Sequence, residues 1–297
     1  MSCRFGLVAA LAFALLATTV VASATPVRNG DSTLRIRHPF AGDSKDLRAI
    51  YPVAVLRLAL EKAGVAAEIV PAAVPMEQAR AIRALASGQL IDVLWTVSTP
   101  ERERQLRPVR VPIDRGLIGW RVLLVQRSAL PRFRDVREAG ELAALRGAQG
   151  HDWPDLPILR ANGLDVLASP HYDSLFELLA RGRIDYVPRG IGEVRPEASA
   201  RAGTGIVIEP NLLLHYPSAL YFFVHPDNES LARQLDRGLR LAHADGSLTA
   251  LLDQAYGEDL AALHLSRRHR ITLTNPLLPA ATPLSHAGWW FSPEQAP

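Results

Sequence analysis

Three short stretches hold the residues best suited to chemistry. In the first, Trp95, Ser98, Thr99 and Arg102 stand close together. An arginine carries a planar fork that grips a carboxylate through two charge-assisted hydrogen bonds. Ser98 and Thr99 can donate to a carboxylate or cap the helix that follows. Trp95 can stack on a ligand or pack in a core, and Arg102, with Glu101, Glu103 and Arg104 beside it, can equally be a solvated surface residue. The second stretch is Gln149, Gly150, His151 and Trp153, where glycine lets backbone amides approach an anion closely, or where a loop simply begins a helix. The third is Val187-Pro188-Arg189, whose cation repels an ammonium and attracts an anion if it faces a cleft. Tyr172 and Tyr216 are further aromatic candidates, while Asp185 reads as a structural residue at the turn into a strand.

Catalytic patterns are missing from this inventory. There is no Gly-x-Ser-x-Gly elbow and no His-Glu-x-x-His, and His264 and His269 are not at helical ligand spacing. No His/Asp/Glu cluster suggests a metal site. The expectation is therefore a protein that is not an enzyme and that carries no cofactor and no metal. An exported hydrolase on an α/β scaffold is the weakest of three functional readings.

The N-terminus carries an expectation about where the protein works. Arg4 precedes an apolar run from Phe5 to Val21, and Ala22-Ser23-Ala24 is a small-x-small cleavage site, the layout expected of a secretory signal peptide over residues 1–24; the rival reading is an uncleaved membrane anchor, for which the run is at the short end. The single cysteine, Cys3, leaves with it, so the mature chain has neither disulfide nor thiol chemistry. That implies a soluble periplasmic protein, expected to be a monomer. The formal net charge of +3 is small for 297 residues, and no block of like charge makes a phosphate-binding stripe, so nucleic acid is not an expected partner.

The elements that position these residues follow from periodicity. Strands are expected at Leu34 to His38 (ended by Pro39), Ala67 to Val70 and Ile91 to Thr96, with helices at Asp46 to Ala63 and Met76 to Ser87 closed by Gly64 and Gly88. This β-α-β-α-β order predicts a parallel, doubly wound lobe. Gly119 to Val125 then leaves it for a second α/β set: helices at Val136 to Leu145, Leu156 to Ala161 and Ser174 to Arg181, strands at Val166 to Ala168 and Ile184 to Val187, and a loop from Arg146 to Asp155. Ile206 to Leu214 and Leu220 to Val224 are further strands, followed by helices at Leu231 to Ala242 and Leu248 to Tyr256 and a proline-rich tail. The fold class is α/β, with two doubly wound lobes joined by hinge strands: residues 25–120 with 217–297, and 121–216. A cleft between such lobes is where small ligands bind.

On three segments the chain resembles the type II periplasmic solute-binding proteins, most of all the polar amino-acid receptors of ABC importers. They are IDVLWTVSTPERERQL (Ile91 to Leu106), RGAQGHDW (Arg146 to Trp153) and LFELLARGRIDYVP (Leu175 to Pro188). An uncharacterised subgroup with a Gln-Gly-x-x-Trp loop and an Asp-Tyr-x-Pro-Arg strand is also similar. The resemblance implies that Arg102, in its Thr-x-x-Arg turn, holds a ligand carboxylate. It also implies that Gln149 to Trp153 present amides to ligand and that Phe40 stacks on it, the alternative for Phe40 being a buried core residue. The receptors place an acidic residue near Arg189, so this chain departs from them there, and two cleft-facing arginines imply a ligand with anionic character. The implied function is binding of a small polar, anionic solute, with hinge closure recognised by an ABC permease or, alternatively, by a membrane sensor.

Overall fold

The computed structural model describes residues 33–40 and 47–295. The signal peptide expected at 1–24 lies outside the described residues. In chain order the elements are β1 (Leu34–Phe40), α1 (Leu47–Lys62), β2 (Ala67–Pro75), α2 (Gln78–Ala86), β3 (Val93–Val97), α3 (Pro100–Gln105), β4 (Arg107–Val109) and β5 (Trp120–Gln126). Then come α4 (Ala139–Leu142), β6 (Gly147–Gly150), α5 (Asp155–Ala161), β7 (Val166–Ser169), α6 (Tyr172–Ala180), β8 (Tyr186–Gly190) and α7 (Val194–Ala200). Last are β9 (Ile206–Ile208), β10 (Leu212–His215), β11 (Leu220–Val224), α8 (Glu229–Ala244), α9 (Ser247–Leu263) and β12 (His269–Thr272). No helix among the described residues is long and apolar enough to cross a membrane.

β1 and β2 pair in parallel. β1 runs through Pro39 instead of ending there, because the ladder slips between His38 and Phe40 and needs no N–H from the proline. Gly64, at φ 72°, ends the α1 segment with Val65 N–H bonded back to Leu60 O, a turn that favours glycine. α1 buries Val55, Leu56, Ala59 and Leu60, with α8 packed close enough that a Cβ on Gly238 would collide with the Ala59 carbonyl. β3 joins a small antiparallel sheet in the order β3-β11-β4. Its link to β1 runs through Asp92, whose N–H donates to Arg37 O while its carboxylate takes the Arg37 backbone N–H and guanidinium.

The larger sheet has the order β12-β10-β5-β8-β6-β7, with β9 also on β5. It is mixed: β6 runs parallel to β7 and β8, and β12 parallel to β10, while β5 is antiparallel to β8, β9 and β10. The purely parallel winding expected from element order is thus corrected in both sheet systems by antiparallel joints at β5 and β11. The single strand expected over Ile206 to Leu214 breaks at Pro210, where the buried Glu209 carboxylate accepts the N–H groups of Asn211 and Leu212. The helix expected from Val136 shrinks to α4, begun by a capping box of Glu138 and Glu141.

β5 belongs to the larger sheet and β11 to the smaller, and the C-terminal tail lies over the links that lead into them. Gly116, at φ 73°, leaves the place of a Cβ to the Trp290 ring, beside the Ser218 carbonyl. Phe291 N–H donates to Arg115 O, and its ring meets Trp120 edge-on.

Candidate functional site

A cavity of about 580 Å³ is walled by β3, the start of α1, the first turn of α5 and the ends of β5 and β8. That size suits a small organic ligand. Aromatic rings supply much of the wall: Tyr51, Trp95, Trp153, Tyr172 and Tyr256. Four carboxylates, Asp114, Asp155, Glu193 and Glu197, line it against two guanidiniums, Arg121 and Arg189.

Arg189 sits on β8 and is 3% exposed. Its Nε donates to Glu197 Oε2 at 2.7 Å and its Nη2 to Glu197 Oε1 at 2.6 Å, a two-pronged pair, with Glu193 Oε2 at 3.2 Å from Nη2. The guanidinium lies 4.7 Å from the Trp153 ring centre and 5.7 Å from that of Tyr172. Tyr172 donates to Glu197 Oε1 at 2.6 Å. Burial opposes the charge on Arg189, but Glu193 and Glu197 outweigh it and hold the guanidinium above its ordinary value. Burial and Glu197 also push the Tyr172 phenol up. Arg121 on β5 forms a second buried node: its Nη2 is 2.6 Å from Asp155 Oδ1, its Nε donates to the Tyr216 hydroxyl at 3.0 Å, and Tyr216 donates in turn to Asp155.

Asp114 differs from these carboxylates. It accepts the backbone N–H groups of Gly116 and Ile118 at 2.9 and 2.8 Å and has no ion-pair partner among the described residues. Burial pushes it up to about 6, against the pull of backbone N–H groups and of the Arg121 charge.

Arg102 is held from the opposite side. Thr99 caps α3 by accepting the Arg102 N–H, and Pro100 occupies the first turn, where a missing N–H is harmless. The guanidinium then donates to Thr96 Oγ1 and Val97 O at 2.8 Å and to Gln78 Oε1 at 2.5 Å. All three acceptors are neutral. Burial lowers its pKa, while Asp152, Glu101 and Asp155 pull it back up. Arg102 itself stands just behind the cavity wall that Gln78, Thr96 and Val97 form.

Of the residues singled out in the sequence, Trp95, Trp153, Arg189 and Tyr172 meet at this cavity. Ser98 does not; its hydroxyl donates to Glu103. Thr99 is occupied as a cap. The expected loop Arg146 to Asp155 contains the buried strand β6, so Gln149 and Gly150 lie on a strand rather than in a loop, with His151 just after it. The N–H groups of Gly147, at its start, and of His151, just past its end, bond to Asp165 O and Ser169 O. The glycines make room for rings: a Cβ on Gly147 would strike Tyr186, and one on Gly150 would strike Trp153 at 2.5 Å. Gln149 is fully buried and outside the cavity lining, and His151 is exposed. Phe40 ends β1, and its side chain lies outside the described part. Asp185 serves the structural role expected of it, accepting Arg146 N–H at 2.8 Å. Among the described residues no cluster of His, Cys, Asp and Glu is arranged to hold a metal.

The carboxylate wall was not anticipated. Glu193 follows Arg189 by four residues, and Glu197 lies on α7, a helix that periodicity did not reveal. One signal was available: Arg121 interrupts the otherwise apolar run Trp120 to Val125, and a charge in a buried strand requires a partner.

No protein-family model matches the chain, and no curated protein matches it. Solved structures do. An ancestral arginine-binding protein bound to arginine is 18% identical, with 75% of this chain and 98% of that one covered at a TM-score of 0.55. A histidine kinase sensor domain with similarity to periplasmic binding proteins is 19% identical, covering 76% and 96% at 0.54. An ancestral amino acid-binding protein described as a precursor of cyclohexadienyl dehydratase is 16% identical, covering 75% and 95% at 0.53. With its larger sheet and the small β3-β11-β4 sheet both contributing to one cavity, this chain has the fold of the type II periplasmic binding proteins.

Proposed function

We propose that the chain binds a small zwitterionic solute of amino-acid size in the 580 Å³ cavity and works by ligand binding rather than catalysis. What supports this is the contrast in charge across the cavity. Arg102 is surrounded by neutral acceptors, so its positive field reaches into the cavity towards a ligand carboxylate. On the other side, carboxylates outnumber guanidiniums, and the hydrogen bonds to Asp114 come from backbone N–H groups, with Arg121 acting on it only through its charge, which suits an ammonium group. Trp95, Trp153, Tyr51 and Tyr256 flank the ligand body. An anionic ligand, expected from the sequence, required Arg189 to be an uncompensated cation; Glu193 and Glu197 remove that support.

In this reading the lobes 25–120 with 217–297 and 121–216 close on the solute in the periplasm after removal of residues 1–24. A monomer then presents it to an ABC permease. The likeness to a histidine kinase sensor domain favours a second reading, in which the same closure signals to a membrane receptor. A thermal-shift screen of the mature protein against amino acids, amines and dicarboxylates tests the ligand class. A saturating ligand at a hundred times its dissociation constant stabilises the fold by about 2.7 kcal/mol. Melting shifts with zwitterions are expected, with the ligand recovered unchanged; shifts with dicarboxylates alone would restore the anionic ligand and discard this proposal. Cross-linking the liganded protein to membranes then separates a permease from a receptor.

A further inference from the structure

A guanidinium held bidentate by one carboxylate, close to a second, and lying over two aromatic rings is how a protein recognises a guanidinium ligand. Here the guanidinium belongs to the chain itself. Arg189 fills a box made by Glu193, Glu197, Trp153 and Tyr172, and all five residues line the cavity. We propose that Arg189 is a specificity-determining residue: a tethered cation that occupies a cation-binding box in the cavity, so that the native protein rejects guanidinium-bearing solutes there and its removal opens a site for them.

The box is built to outlast its occupant. Tyr172 donates to Glu197 and Arg121 lies 3.7 Å from Glu193, two contacts that do not pass through Arg189. Glu197 is itself 9% exposed, so a variant lacking Arg189 holds a buried carboxylate in need of a cation. This deepens the reading of the cavity as a ligand site by naming what it excludes. The screen on the native protein can fail while the gain of a guanidinium site still succeeds.

The experiment compares the native protein with Arg189→Ala, and with Arg189→Met, which keeps apolar volume, using methylguanidinium chloride as the probe and sodium chloride at matched ionic strength as the control. The expected result is a lower melting temperature for both variants, raised saturably by methylguanidinium, with an affinity roughly tenfold or more above that of the native protein. Adding Glu197→Gln to Arg189→Ala should abolish the response. Equal responses in native and variant proteins, or rescue by sodium chloride alone, overturn the proposal. So does failure of both variants to fold when methylguanidinium is supplied.

Discussion

Around Arg102 the acceptors are a hydroxyl, a backbone carbonyl and a side-chain amide; around Arg189 they are carboxylates. Both guanidiniums are buried, and both are well supplied with hydrogen-bond acceptors. Only the second has its charge cancelled. A buried cation solvated by neutral dipoles keeps its field, whereas one in an ion pair spends it locally. The pair therefore sets a cation whose field stays available beside one whose field is spent on its own partners.

The largest expected effect tests the cancelled side. Glu197→Ala leaves Arg189 buried with one carboxylate fewer, which should cost about 3–5 kcal/mol in urea unfolding. A loss below about 1 kcal/mol would mean the pair is no more than a solvated surface contact, and the contrast would collapse. A smaller loss should follow from disturbing the ring over Arg189. In Gly150→Ala the new methyl must displace Trp153, at about 1–3 kcal/mol. If this exceeds the loss from Glu197→Ala, the ring rather than the carboxylate is what holds Arg189.

The contrast can also be erased from the Arg102 side. Gln78→Glu puts a carboxylate where an amide oxygen now meets Arg102. Folding should be unharmed, while affinity for the ligand identified by the screen should drop about tenfold, the equivalent of about 1.4 kcal/mol. Unchanged affinity would show that Arg102 does not act through its field.

The smallest effect is on pH dependence. Asp114 ionises near 3.8 in an unfolded chain and near 6 when folded, so its stabilising contribution is complete below about 4 and is lost as pH rises through about 6. Ligand binding should run the other way, weakening as pH falls below about 6 and the carboxylate that meets the ammonium takes a proton. Asp114→Asn should flatten both profiles; a binding profile that stays steep would place the ammonium elsewhere.

How much of this was legible follows from where the signals lie. α1 and α2 could be read because apolar spacing ends at Gly64 and Gly88, both at positive φ. β6 could not, because Gly-Ala-Gln-Gly carries no alternation; its composition answers to Tyr186 and Trp153, which arrive from elsewhere in the chain. Trp95, Trp153 and Arg189 were visible as residue types. Their partners were not, since Glu197 becomes significant only when α7 folds against β8. β12 is too short and polar to stand out from the tail.

The tail carries a practical consequence. Trp290 covers the link from β4 to β5 at Gly116, where the Ser218 carbonyl of the link from β10 to β11 also comes close. Trp289, next to it, stacks on His243 and His286. A twist of one link against the other changes the surroundings of an indole that has no part in the cavity. The protein thus carries its own optical reporter, and the emission of Trp290, isolated by replacing the other tryptophans with phenylalanine, would follow movement of the links without any attached dye.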